Sequence, residues 1–195
     1  MTQIIPLKAE PRARAGKGTA RATRRLGLVP AVIYGNKETP LLLAIDKFTV
    51  NRVLHQPGFF THLFDITVGA TTTRVLPRDV QLDPITDLPL HLDFLRVGAD
   101  TRITLDIPCE FLNVEKAPGI KKGGVLNVVR HSIEVSCLAA NIPEQIVIDL
   151  AGADIGDSIH ISTITLPEGV TPTIQDRDFT IATIAAPSGL GGDEG

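Results

Sequence analysis

The sequence is poor in cysteine and aromatic residues and has no long apolar run. It contains two cysteines, Cys109 and Cys137, and no tryptophan, and aromatic residues make up 4% of the 195 residues. Two distant cysteines make neither a disulfide framework nor a Cys-x-x-Cys metal site, so we expect buried, reduced thiols. No apolar run of about 18 residues is present, which predicts no membrane span. The N-terminus becomes basic after its hydrophobic part, unlike a secretory signal, and these features favour the cytoplasm.

Motifs typical of enzymes are also missing. No Gly-x-Ser-x-Gly arrangement occurs. The stretch Gly16-Lys17-Gly18-Thr19 is no P-loop, because Pro11 replaces the first glycine and the hydroxyl follows one residue late. We therefore expect no catalytic residue, no cofactor, no metal site and no small-molecule substrate.

What the sequence does contain is β-forming residues between turns. Many Val, Ile and Thr residues stand among 17 Gly and 14 Pro, which predicts a mainly β protein with short helices. Strands are predicted over 3–9, 31–35, 41–45, 61–68, 73–80, 90–97, 102–112, 125–138 (one strand or a bent pair), 144–152, 158–166 and 178–186.

Two helices and two loops complete the prediction. One short helix is expected over 19–26, ended by Gly27. The other is expected over 47–56 with Asp46 as its N-cap, and one face is assigned to Phe48, Val50, Val53 and Leu54. Irregular loops are expected over 11–18 and 114–124.

The charges are distributed unevenly along the chain. Residues 1–97 carry 13 Lys and Arg against 8 Asp and Glu, a net +5, whereas residues 98–195 carry 6 against 14, a net −8. Such asymmetry indicates a polyanion-binding part joined to another part. We expect a domain at 1–97, a second β-rich domain at 98–186 and a disordered tail at 187–195.

The segment from Arg12 to Arg25 is the strongest functional signal. Its Arg and Lys residues alternate with small residues, and arginine binds phosphates and guanine edges in a bidentate manner. The glycines on both sides of Lys17 allow the main chain to approach a phosphate backbone. On charge alone, a solvated, flexible basic arm is an equally good interpretation.

Two further positions carry polar groups on predicted strands. Tyr34 is the only tyrosine, and it could pack in the core or stack on RNA. His91 and Asp93 share a strand face, because strand side chains alternate. That face could hold a catalytic pair, two metal ligands or an RNA-contacting patch, although no third metal ligand lies nearby in the sequence.

Several motifs in order resemble those of a known family. They are E-x-R-x-x-x-GKG-x-x-R at 10–21, VPAVIYG at 29–35, DVQ at 79–81, HLDFLRV at 91–97, IGDSIHIS at 155–162 and LPEGV at 166–170. The chain resembles, over essentially its whole length, the long form of the bacterial 5S-rRNA-binding ribosomal protein family, the general stress protein CTC type.

The resemblance implies a partly closed β-barrel that binds the loop E region of 5S rRNA in the central protuberance of the large ribosomal subunit, followed by a second β-domain. The RNA-binding positions it implies are Arg12, Lys17, Gly18, Arg21, Arg24, Tyr34, Gln81, His91 and Asp93. Arg78, where the family often has a neutral residue, is interpreted as an added phosphate contact. Ala22 stands where the family commonly has a second arginine.

Other functions remain open at this point. One is a stress-related adaptor whose acidic second domain binds proteins or another RNA-bound factor. In the ribosomal interpretation, the candidate partners of the second domain are neighbouring ribosomal proteins. The barrel also resembles the anticodon-binding region of glutaminyl-tRNA synthetase, so tRNA is a weaker RNA alternative. A hydrolase built on His91 and Asp93 is the least favoured hypothesis, because no nucleophile or metal set accompanies them.

Overall fold

The computed structural model describes residues 4–98 and 100–187. They fall into two compact units, one within Met1–Ile103 together with Leu138–Ile142, the other within Thr104–Cys137 together with Pro143–Gly195. Apart from Pro187, the tail predicted at 187–195 lies outside the described residues.

A closed six-stranded barrel forms the body of the first unit. Its strands are β1 (Ile4–Pro11), β2 (Leu28–Tyr34), β3 (Leu41–Asp46), β4 (Leu63–Val68), β5 (Thr71–Leu82) and β6 (Pro89–Arg96). They follow the order β1-β3-β2-β6-β5-β4 around the barrel, and β1–β4 and β2–β6 are the two parallel pairs. The expected mainly β fold with a barrel in its N-terminal region is confirmed, but the barrel is fully closed and not partly closed as expected.

The barrel interior is filled by aliphatic side chains and three phenylalanines. Phe64 and Phe94 are fully buried, with ring centroids 6.2 Å apart, and Phe59 packs on Phe64 at 5.4 Å. Because side chains alternate along a strand, inward Ala31 and Ile33 on β2 leave Val32 and Tyr34 facing outward. A tightly filled interior holds the outward side chains at fixed positions on its surface.

Two helices flank the barrel strands. The first, α1 (Lys17–Arg25), begins two residues earlier than predicted and buries no residue. The second, α2 (Lys47–Leu54), is capped by Asp46, whose carboxylate accepts a hydrogen bond from the main-chain N–H of Thr49 at 2.8 Å. The predicted N-cap is therefore confirmed.

The predicted buried face of α2 was wrong at Phe48. Val50 and Val53 are buried, but the Phe48 side chain is 85% exposed. With 3.6 residues per turn, positions 48 and 50 lie on opposite sides of a helix, so these two side chains do not share a face.

Two small sheets follow the barrel in the chain. Their strands are β7 (Arg102–Leu112), β8 (Val125–Val128), β9 (Ser132–Leu138), β10 (Ile146–Asp149), β11 (Ser158–His160), β12 (Thr171–Pro172) and β13 (Thr180–Ala185). One sheet has the order β10-β7-β9-β12 and the other β11-β13-β8. The expected second β-rich domain is confirmed.

Three local predictions in this half need correction. The loop expected over 114–124 contains a 3-10 turn at Val114–Lys116 and the short helix α3 (Pro118–Lys121). The segment 125–138 is two strands in different sheets. The strand expected over 158–166 ends at His160, where a 3-10 turn begins.

Both cysteines are free thiols, as expected. Cys137 is buried, whereas Cys109 is only partly so, and burial raises its pKa to about 11. A pKa this high keeps the Cys109 thiol protonated and unreactive at neutral pH. In the described part of the chain, no helix is long and apolar enough to cross a membrane.

Candidate nucleic-acid interface

The outer face of β2, β6 and β5 brings together distant parts of the sequence. β2 and β6 run parallel, with Val32 opposite Asp93 and Tyr34 opposite Leu95. β5 and β6 run antiparallel, with Gln81 opposite His91. Residues separated by up to 59 positions in the chain thus share one patch of surface, which we call the sheet face and define by Tyr34, Arg78, Gln81, His91 and Asp93.

His91 and Asp93 form a direct pair on this face. His91 Nδ1 lies 2.7 Å from Asp93 Oδ1, and their side chains are about one-third exposed. An Nδ1–H donated to the carboxylate fixes the ring orientation and leaves Nε2 as an acceptor in the neutral imidazole. The pair therefore presents an oriented hydrogen-bonding edge toward solvent.

Arg78 sits at an irregularity in the β5–β6 ladder. The register shifts between Pro77 and Asp79, so Arg78 is the extra residue of a bulge. Bulges redirect side chains and occur frequently beside functional sites. The bulge also places Asp79 directly opposite Asp93, which adds a second carboxylate to the sheet face.

The charges of Asp79, Asp93 and Arg78 affect the pKa of Tyr34. Partial burial raises the pKa of its phenol, the carboxylates of Asp93 and Asp79 raise it further, and Arg78 acts in the opposite direction. The tyrosine hydroxyl thus stays protonated at neutral pH and can donate a hydrogen bond. Tyr34 therefore lies close to three charged residues of the same face.

The basic helix α1 is held beside this sheet. Arg24 Nη1 donates to the main-chain carbonyl of Leu90, the residue before His91, at 3.3 Å. At the other end, Arg12 Nη2 lies 3.4 Å from Thr19 Oγ1, and the Arg12 N–H donates to Leu42 at 2.9 Å. The segment is therefore a structured helix tied to the barrel and not a loose arm.

Gly16 and Gly18 have different structural roles. Gly16 is the N-cap of α1 with a φ of 128°, a conformation that favours glycine, and Thr19 Oγ1 donates to its carbonyl. Gly18 lies inside the helix, and a Cβ added there would meet no atom within 4 Å. Backbone conformation therefore explains Gly16, whereas neither conformation nor packing within the protein explains Gly18.

The structure assembles most, but not all, of the expected residues. The sheet face holds five of them, and Arg24 is joined to it through Leu90. Lys17, Gly18 and Arg21 are exposed on α1, with no described contact to the sheet face, and Arg12 reaches only the start of that helix.

One residue of the face was missed from the sequence. Asp79 lies opposite Asp93, and the signal was present in the DVQ motif, since the strand period of two puts Asp79 and Gln81 on one side. Among the residues that the structure describes, no group of three or more His, Cys, Asp or Glu could hold a metal ion.

Two family models match this chain, one in each half of the sequence. The model of the Ribosomal L25p family matches residues 7–94, which include most of the barrel. The model of the ribosomal protein TL5 C-terminal domain matches residues 102–188, which include the later strands.

Full-length relatives are similar over nearly the whole chain. Large ribosomal subunit protein bL25 of Mesorhizobium japonicum is 55% identical over 184 residues, 94% of this chain and 86% of the relative. The protein of the same name from Rhodospirillum rubrum is 53% identical over 195 residues, 100% of this chain and 93% of the relative. The protein of the same name from Chelativorans sp. is 54% identical over 190 residues, which are 97% of this chain and 90% of the relative. The chain therefore belongs to the bL25 family in its long form, a family of ribosomal structural proteins and not of enzymes.

Proposed function

We propose that the protein is a structural component of the large ribosomal subunit that binds 5S rRNA, in its loop E region, as part of the central protuberance. The observation that carries the proposal is that α1, with its cations, is fixed beside a sheet face rich in hydrogen-bonding side chains. The names of the relatives support the subunit, and the arrangement of the residues supports RNA as the ligand.

The two parts of this surface suit different parts of an RNA helix. Positive charge for phosphates comes from the cations of the basic segment and from the sheet: Arg12, Lys17, Arg21, Arg24 and Arg78. Contacts to phosphates position a protein on RNA but do not read the base sequence. Gln81, His91 and Tyr34 offer donors and acceptors that match base edges and 2′-hydroxyl groups in a wide minor groove. Exposed Gly18 lets the main chain of α1 lie close to a phosphate.

Asp93 needs a specific reason to face a polyanion. Its hydrogen bond with His91 orients the imidazole, and its free lone pairs can accept a base amino group or a ribose hydroxyl. A non-cognate RNA without such a donor would meet an unpaired negative charge. We therefore assign Asp93 to selectivity and not to overall affinity.

We further propose a division of roles between the parts of the chain. RNA binding is assigned to a domain at 1–97, whereas the second domain, at 98–186, contacts neighbouring ribosomal proteins. Exposed apolar side chains such as Val125, Val129 and Val147 support a protein contact there. As part of a bacterial ribosome, the protein would be cytoplasmic.

The test of this function is a binding comparison with the full chain. Because Leu138–Ile142 belongs to the first unit, a fragment ending at residue 97 would remove part of that unit. We expect tighter binding to 5S rRNA than to an unrelated RNA hairpin of equal length at physiological salt. Equal affinity for both would leave only non-specific attraction by the basic residues and would contradict the proposal.

A further inference from the structure

Three large apolar side chains at one end of the barrel are exposed to solvent. Leu26 is 77% exposed, Phe48 85% and Ile85 90%. Leu26 follows α1, Phe48 lies in the first turn of α2, and Ile85 lies in the loop between β5 and β6. We call them the apolar rim. Clustered apolar residues on a protein surface mark binding sites more often than isolated ones do.

Near neighbours of the apolar rim in the sequence line a cavity of about 210 Å³: Leu28 lies two positions after Leu26, Lys47 precedes Phe48 and Thr86 follows Ile85. The N–H of Lys47 donates to the carbonyl of Gly27 at 3.0 Å, which holds the start of α2 against the end of α1. Asp83 accepts the N–H of Ile85 at 3.0 Å and so shapes the loop on the other side. Arg24, Lys47 and Asp83 line the cavity, and Leu28 and Pro89 contribute apolar walls.

This cavity continues the sheet face along the same two strands. Asp79 lies opposite Asp93, then Gln81 opposite His91, and then β6 reaches Pro89 and β5 ends one residue before Asp83. Arg24 belongs to both places, since it lines the cavity and donates to the carbonyl of Leu90. An RNA lying along the sheet face would therefore pass the mouth of the cavity.

The charges at the cavity favour a phosphate-bearing ligand. Arg24 and Lys47 supply two cations, and Arg24 keeps donors beyond the one it gives to Leu90. The Asp83 carboxylate is engaged by the N–H groups of Ile85 and Thr86, and these bonds lower its pKa, with a smaller effect from Lys47. Asp83 is thus committed to its own loop.

We propose that this cavity receives one unpaired nucleotide of the bound RNA, with its base stacked on Phe48 and its phosphate near Arg24 and Lys47. This inference rests on the proposed RNA-binding function and adds a second, single-nucleotide contact to it. Aromatic side chains stack on unpaired bases whatever their sequence. Phe48 is 85% exposed and directly follows Lys47, one of the two cations that line the cavity, so its ring is open to such a base.

Substitutions of Phe48 in the full chain test the proposal against 5S rRNA. Phe48→Ala should weaken binding by about 5- to 150-fold, the usual range for loss of a stacked base. Phe48→Leu should lose as much, because it keeps an apolar side chain but no ring, whereas Phe48→Tyr should bind like the wild type. Since no charge is removed, the salt dependence should stay unchanged. The control is Leu112→Ala, which removes an exposed apolar side chain from the second unit.

The outcomes separate this site from the proposed function. If the wild type prefers 5S rRNA but Phe48→Ala binds it equally well, the nucleotide site is wrong and the function stands. If Phe48→Leu keeps full affinity, apolar contact and not stacking is involved, which also overturns the site. If Phe48→Ala binds RNA normally but joins large subunits poorly, the apolar rim docks a protein instead. If the wild type shows no preference for 5S rRNA, the function and the site both fall.

Discussion

Charged groups and hydrogen-bonding edges contribute differently to RNA binding, and our proposal assigns His91 to the second kind. Its ring is oriented by Asp93 at 2.7 Å and stands opposite Gln81. A side chain held in this way loses little freedom when it binds, so its geometry can select one arrangement of base edges. Specificity should therefore depend on residues that add little net charge.

Replacing His91 by alanine tests this assignment. His91→Ala should reduce the preference for 5S rRNA over an unrelated hairpin by about fivefold, the effect of one hydrogen bond worth about 1 kcal/mol. The dependence of log affinity on log salt concentration should stay nearly constant. The measurement is a salt titration of binding with both RNAs.

Arg21→Ala is the matched comparison. Arg21 is exposed on α1, so its loss should reduce the slope of log affinity against log salt concentration by about one unit. It should weaken the binding of both RNAs to the same degree. Loss of preference in Arg21→Ala, or a changed slope in His91→Ala, would show that the two roles are assigned wrongly.

The pair of Asp65 and Arg74 predicts how barrel stability depends on pH. Arg74 donates from Nε and Nη2 to the two carboxylate oxygens of Asp65 at 2.9 and 3.0 Å, and these bonds lower the pKa of Asp65 from 3.8. The folded state then binds fewer protons than the unfolded state. This contribution to stability is present above pH 3.8 and is lost as the pH falls through the lowered pKa.

Asp65→Asn should accordingly flatten the pH dependence of the free energy of unfolding in acid. Urea unfolding can be followed by the fluorescence of Tyr34, the only tyrosine of a chain without tryptophan, which reports on the barrel. Arg74→Ala should flatten the curve in the same way. If the free energy of unfolding of both variants depends on pH in acid as that of the wild type does, the pair does not form in solution.

At the residue scale, the sequence predicted positions governed by local geometry. The shared face of His91 and Asp93 follows from strand alternation, and Asp46 as N-cap follows from its side-chain chemistry. The prediction that Phe48 is buried was wrong because its apolar character was given more weight than its angular position on the helix. Strand alternation in the DVQ motif puts Asp79 on the side of Gln81, but its place opposite Asp93 depended on pairing with β6.

At the element scale, α1 depends on two glycines with separate purposes. Gly16→Ala would strain the N-cap at φ 128°, whereas Gly18→Ala meets open space. Gly18→Ala should therefore leave stability unchanged or raise it by up to about 1 kcal/mol, the gain of alanine over glycine in a helix. It should nevertheless weaken RNA binding, because the added methyl keeps the main chain away from a phosphate.

Thermal unfolding and RNA titration of Gly18→Ala check both statements. Gly16→Ala serves as the contrasting variant, expected to lose stability at the start of the helix and RNA affinity together. Full RNA affinity in Gly18→Ala would place the N-terminal turn of α1 away from the RNA backbone.

Elements were predictable where their pattern was complete within one segment. β7 has the limits expected from its sequence, Arg102–Leu112, because apolar and polar residues alternate for much of its length. The segment 125–138 was ambiguous because both halves are β-forming, and their separation into two sheets depends on partners far along the chain. β8 pairs with β13, whereas β9 pairs with β12.

At the scale of the whole molecule, barrel closure could not be derived from strand patterns. It requires the parallel pairs β1–β4 and β2–β6, which join segments far apart in the sequence. Periodicity identifies strands and their buried faces, but it does not say which strands pair. The barrel was predicted through the resemblance, and its interior of Phe64, Phe94 and aliphatic residues fits that fold.

Charge asymmetry is also a property of the whole chain. The net +5 of residues 1–97 and −8 of residues 98–195 cancel in the total of −3. The positive part includes the barrel and the basic helix, and the negative part includes the later sheets. An acidic second half is repelled by phosphates, which supports our proposal that the first unit binds the RNA.

The most direct test of the central claim is whether the protein's place in the large subunit depends on 5S rRNA. Large subunits reconstituted with and without 5S rRNA would be incubated with the full chain, sedimented and examined for bound protein. The protein should sediment with complete subunits and be lost from subunits that lack 5S rRNA. Equal amounts in both sediments would contradict the claim that 5S rRNA is its binding partner.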